Sequence, residues 1–174
     1  AGQPPAELLA WFGTALREAL GVEFVAGWVF QSDGAPFLRF GAPWIKGTEL
    51  AAYLSARAIP GVSFLPVSYV AAADKLYPFA GQRVEGVEIL IHDRTRLDAP
   101  ALGVEIVAAL WKLYGTAFQI DRVDRLLRNR AVFDQIKAGR DPRAIATSWQ
   151  ADLNRFKTRR ARYLFTAPCE LVQP

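Results

Sequence analysis

The sequence predicts an α+β domain, a small mixed or antiparallel sheet packed with five or six helices. Two patterns carry the prediction. Apolar residues recur at three- and four-residue spacing through several long segments, and between these lie apolar, β-branched runs of strand length bounded by Gly, Pro and Asp. The third observation is composition. With 174 residues, 52% hydrophobic and 12% aromatic, the chain fits one domain, 1–174, with material for a real core.

The elements follow in order. Leu8, Leu9, Phe12, Leu16 and Leu20 mark an amphipathic helix over 5–20 that Gly21 stops. Residues 22–30 read as a strand, and Asp33-Gly34 in 32–36 as a turn that tolerates positive φ. After the helix at 48–58 closes at Pro60-Gly61, residues 62–70 alternate as a strand whose Pro66 suggests an edge or a bulge. A connection over 71–83 leads to a strand core at 87–91. A helix over 99–114 carries two neighbouring apolar stripes, Leu102, Ile106, Leu110 and Leu113 beside Val107, Trp111 and Tyr114. It is therefore mostly buried, and it is expected to pack across the sheet as the central helix. Pro100 and Gly115 fit its start and stop.

Residues 121–138 suit two short helices with a break near Asn129. Asp141-Pro142 then caps a helix over 142–164, with Ile145, Trp149, Leu153, Phe156 and Leu164 as its buried stripe. Arg155, Lys157, Arg159, Arg160 and Arg162 stand against that stripe as a solvated basic face. The tail 167–174 is expected to be loosely held.

The segment on which the rest is organised is 37–58. An apolar run breaks at Gly41-Ala42-Pro43-Trp44 and re-enters as a helix, with Thr48 as the expected cap and Glu49 in its first turn. Leu50, Tyr53, Leu54 and Ile59 follow at helical spacing. Trp44 is thus expected to pack at the corner where this helix meets a sheet.

Net charge is +4, a weak pointer to an anionic partner, and much of the excess collects after Arg122. Cys169 is the sole cysteine, which rules out an intramolecular disulfide and a cysteine-based metal site. No metal site and no cofactor are expected. No apolar run reaches the roughly 18 to 20 residues of a membrane-spanning helix, and no signal peptide is visible. The chain starts at Ala1 and contains no Met, so signal cleavage or cutting from a longer chain would explain the missing initiator. The first of these implies a periplasmic or secreted protein.

There is no phosphate-cradling glycine loop, nucleophile elbow or histidine-based triad. The candidates for acid–base work are Glu85, Glu88, His92 and Asp93, with Asp98 as a further carboxylate. Glycoside hydrolysis needs two carboxyls about 5 to 9.5 Å apart flanking one bond. Glu88 and Asp93 lie in or beside a strand with no sign of a cleft. His92, the only histidine, lacks a visible orienting acceptor.

Gly41-Ala42-Pro43-Trp44-Ile45, then Pro60-Gly61-Val62-Ser63-Phe64-Leu65-Pro66-Val67-Ser68-Tyr69, Gly86 through Arg94, Ser148-Trp149-Gln150-Ala151-Asp152-Leu153 and Arg162-Tyr163-Leu164 stand in an order that resembles one bacterial family. The resemblance is to the C-terminal domain of exo-β-N-acetylmuramidases acting on peptidoglycan fragments, long catalogued as of unknown function. It covers roughly 36–165. The segment 26–37 departs from the family's Gly-Arg-Gly-Thr and Arg-Pro-Phe pattern and keeps only Pro36-Phe37, which argues against unaltered family chemistry. The resemblance implies a non-catalytic auxiliary domain flanking a sugar cleft, with a Rossmann-like catalytic domain or other protein as partner and muramic-acid sugars as ligand. It makes Lys75 and Tyr77, with Trp44, the substrate-facing residues. Two alternatives stand beside it, a stand-alone cell-wall hydrolase and a polyanion-binding module through the basic C-terminal helix. Nucleic acid ranks last, because stacking aromatics are not interleaved with the charges.

Overall fold

Strands β1 (Arg39–Ala42), β2 (Val62–Val70) and β3 (Arg83–Ile91) form an antiparallel sheet in the order β1-β3-β2. The computed structural model describes residues 38–71 and 79–164, apart from the side chains of Arg125 and Leu126. The helix expected at 5–20, the strand at 22–30, the turn at 32–36 and the tail at 167–174 lie outside them. Pro66 sits in an edge strand, where its missing N–H costs no ladder bond. β3 begins four residues before the expected 87. Gly86 interrupts the apolar alternation in the sequence, yet Arg83 pairs with Val70 and Glu85 with Ser68 across the ladder.

Strand alternation sorts the side chains between two faces. Phe40, Phe64, Val87 and Ile89 point to the helices and are buried in the main core. Arg39, Leu65 and Glu88 stand in one row on the other face. On that same side Tyr69 and Val84 form a small cluster with Ala71 and Phe79.

Helix α1 (Gly47–Ala56) lies on the sheet, with Leu50 and Leu54 wholly buried. It ends two residues earlier than expected, and Ala58 follows with φ of 49°. Helix α2 (Ala99–Tyr114) has the predicted bounds. Asp98 caps it by accepting from the Ala101 N–H at 3.0 Å. Its placement differs from expectation, because α1 already occupies the sheet and α2 packs chiefly on α1 and on the C-terminal helices. The molecule is therefore layered sheet, α1, α2 and then α4 and α5.

The segment after α2 passes through 3₁₀ turns at Gly115–Ala117 and Ile120–Arg122 into α3 (Asp124–Leu127) and α4 (Arg130–Lys137). The predicted break falls at Arg128, with φ of 48°, and at Asn129, whose side chain accepts from the Val132 N–H at 3.2 Å. The helix expected over 142–164 is two helices, α5 (Pro142–Ser148) and α6 (Gln150–Ala161). The Thr147 and Ser148 hydroxyls donate back to the carbonyls of Arg143 and Ile145 at 2.9 and 2.6 Å. Such back-bonding competes with the helical ladder, and the chain restarts at Trp149. The expected buried stripe holds only at Ile145. Trp149 and Leu153 are half-buried, while Phe156 and Leu164 are 50% and 45% exposed. Among the described residues no helix is long and apolar enough to cross a membrane.

Candidate functional site

The Gly41–Gly47 loop is held by close backbone approach. Gly41 and Gly86 are cross-strand partners, and a Cβ on Gly86 would lie 1.8 Å from the Phe40 carbonyl oxygen. A Cβ on Gly47 would fall 2.6 Å from the Gly86 carbonyl oxygen, so only glycine lets the first turn of α1 rest on the sheet backbone. The expected Thr48 cap is not used. Helix α1 starts one residue earlier, and Glu85 reaches from β3 to accept from the Gly47 N–H at 3.1 Å. A carboxylate there also meets the positive end of the helix.

Trp44 is half-buried, edge-on to Tyr114 with ring centroids 5.4 Å apart, and 6.1 Å from Phe118. It packs against the end of α2 and the turn after it. The Tyr114 hydroxyl donates to the Lys46 carbonyl at 3.2 Å, and burial raises its pKa.

Every other acid–base candidate among the described residues has a partner. Glu88 pairs with Arg39 at 3.6 Å on the sheet face opposite α1. The Arg39 guanidinium also lies 5.6 Å from the Tyr69 ring centroid. Asp93 accepts from the Thr95 hydroxyl at 2.6 Å, the Thr95 N–H at 2.9 Å and the Arg96 N–H at 3.3 Å. The Thr95 hydroxyl is the main cause holding its carboxyl below the usual range. His92 Nε2 is 2.6 Å from the Ser63 Oγ, on an exposed corner of the sheet. Glu85 and Glu88 are three residues apart on a strand and so project to opposite faces, which keeps them from flanking one bond. Asp98 is spent on the α2 cap. Lys75 and Tyr77 lie outside the described residues.

Among the described residues no three His, Cys, Asp or Glu side chains converge as a metal site requires. Two open depressions lie along α6, one lined by Asn154, Arg155, Thr158, Arg159 and Arg162 and the other by Asp152, Arg155, Phe156 and Arg159. They lie apart from the four candidates.

Sequence reasoning passed over one charged network. Glu105, 5% exposed, takes a bidentate contact from Arg57 at 2.8 and 2.9 Å. Arg57 also holds Asp141 at 3.0 and 3.2 Å, and its carbonyl accepts from Arg143. The Glu105 bond is the largest cause raising the Arg57 pKa, and Arg57 in turn lowers that of Asp141. This network ties the end of α1 to the middle of α2 and the start of α5. Its sequence signal is Glu105, the one acid of a helix whose other residues, apart from Lys112, carry no charge.

Comparison with known proteins places the fold. The family described as "Exo-beta-N-acetylmuramidase NamZ, C-terminal" matches residues 32–165. The chain belongs to this family. It is 30% identical over 132 residues to the peptidoglycan beta-N-acetylmuramidase NamZ of Bacillus subtilis strain 168, a match covering 74% of this chain and 31% of that protein. The crystal structure of a DUF1343 family protein from Bacteroides fragilis shares the fold, with a TM-score of 0.67 at 19% identity over 87% of this chain and 41% of that one. The chain thus spans less than half the length of either relative, both of them bacterial.

Proposed function

We propose that this chain is the auxiliary, non-catalytic wall of a peptidoglycan exo-β-N-acetylmuramidase, flanking a sugar cleft formed with a Rossmann-like catalytic domain. One observation carries the reading. The match accounts for 31% of a muramidase's length, and within the described part the candidate carboxylates face opposite sides of the sheet (Glu85, Glu88), hold the turn after β3 (Asp93) or cap a helix (Glu85, Asp98). In this reading Lys75, Tyr77 and Trp44 approach the muramic-acid sugar from the side, and the acid and base come from the partner.

Release of N-acetylmuramic acid from a chromogenic muramide tests it. The isolated chain is expected to give no turnover. A chimera carrying this chain in place of the matched region of the Bacillus subtilis relative is expected to turn over, and Lys75→Ala or Tyr77→Ala in the chimera to raise KM more than it lowers kcat. Turnover by the isolated chain, lost in Glu85→Gln, Glu88→Gln, His92→Ala or Asp93→Asn, would instead establish a stand-alone hydrolase.

A further inference from the structure

Helix α6 is built unlike the rest of the domain. None of its residues is buried, and among the described elements its main contact is with α5, which precedes it. Along it Leu153 and Phe156 fall on one face by helical spacing, and Leu164 follows three residues past its end at Ala161. Tyr163 joins them, since the Arg162 and Tyr163 N–H groups donate to the Arg159 and Arg160 carbonyls at 3.3 and 2.9 Å and carry the spiral past Ala161. Phe156, Tyr163 and Leu164 are 50%, 74% and 45% exposed. They are three of the five exposed large hydrophobics among the described residues. Single exposed apolar residues need no cause, but a row on one helix face does.

The charges say what covers that row. Arg160 lies in the middle of the stripe, with Lys157 along one edge and Arg159 along the other. Arg155 is paired with Asp152, whereas among the described residues Lys157, Arg159, Arg160 and Arg162 have no carboxylate within ion-pair distance. A cation at the centre of an apolar face opposes insertion into lipid. Phe, Tyr and Arg together make up the residue set of a protein interface core.

We infer that the Leu153–Phe156–Arg160–Tyr163–Leu164 face of α6 docks, as a helix in a groove, onto an apolar protein surface rimmed by carboxylates. Its occupant is the N-terminal portion of the family protein. The inference rests on the reading above, since the relative has more than two-thirds of its length outside the match, and it adds which face of this chain is the seam.

The test uses the full 174-residue chain and, as probe, the separately expressed portion of the Bacillus subtilis relative that precedes the match, with affinity read by calorimetry and turnover on the muramide. Phe156→Asp and Arg160→Glu are expected to weaken binding at least tenfold with unchanged thermal unfolding. Leu65→Asp, at an exposed position on the sheet face opposite α1, is expected to bind as the unchanged chain does. Undiminished binding by Phe156→Asp, loss confined to Leu65→Asp, or no binding by the unchanged chain overturns the assignment. So does self-association through this face in light scattering, or sedimentation with phosphatidylglycerol vesicles that Phe156→Asp abolishes. Binding through α6 without turnover removes the muramidase reading and leaves the seam. Turnover with binding indifferent to α6 does the reverse.

Discussion

Gly86 shows how much one methyl group can decide. The Cβ of an alanine there would sit 1.8 Å from a backbone carbonyl oxygen that cannot move without opening the β1–β3 ladder. Gly86→Ala is expected to cost ~3 kcal/mol or more in urea unfolding, and a loss under ~1 kcal/mol would show that the strands part easily. Arg57→Ala leaves the buried Glu105 carboxylate unpaired and is expected to cost about 3–5 kcal/mol, whereas Arg57→Met with Glu105→Leu should recover most of it. Asp141 gives this network a pH signature. Arg57 holds its carboxyl below the usual range, so the folded chain takes up that proton less readily than the unfolded one. The stabilisation is complete above about pH 4, the ordinary aspartate value, and is lost as pH falls through the lower folded value. Because the Asp141 side chain is 52% exposed, the amount is under ~1 kcal/mol. Asn still caps a helix. Asp141→Asn should therefore shrink, without abolishing, the fall in urea midpoint between about pH 6 and about pH 3, since Asp93 contributes to the same limb.

Among the elements, the helix starts separate what was legible in the sequence from what was not. Asp141 and the break near Asn129 could be read because a cap and the amide it serves are two or three residues apart. The bounds of α2 followed from the same local chemistry. The start of α1 could not be read that way, because its acceptor, Glu85, is 38 residues from Gly47 and arrives only through strand register. Register also hid the Ser63–His92 contact, while the separation of Glu85 from Glu88 follows from strand alternation once β3 starts at Arg83 and not at 87. Local pattern extended the last helix through Trp149 because Thr147 and Ser148 are ordinary helix residues until their hydroxyls turn on the backbone. Glu85→Gln tests the cap. It is expected to lower stability by ~1 kcal/mol in thermal unfolding and to leave turnover of the muramidase chimera unchanged, while a large fall in kcat would return Glu85 to chemistry.

At the scale of the whole molecule, stability and the proposed docking occupy different parts of the fold. Three layers, sheet, α1 and α2, share one core that extends to Ile145 in α5. The helical periodicity of 142–164 suggested that the same core runs on to Leu164, but an amphipathic pattern records only that a face is to be covered, not by which chain. Ile145 is wholly buried, so Ile145→Ala should cost about 2–5 kcal/mol. Replacing Phe156, Tyr163 and Leu164 together by Ser should change urea unfolding by no more than ~0.5 kcal/mol per site, as for surface positions. If the triple variant instead loses several kcal/mol, the α6 face is packed within this chain, and the seam must be sought elsewhere, first at the exposed Leu65 of β2. If it keeps its stability, Phe156, Tyr163 and Leu164 contribute little to this fold, and their exposure together is accounted for by a surface that the folded chain does not supply.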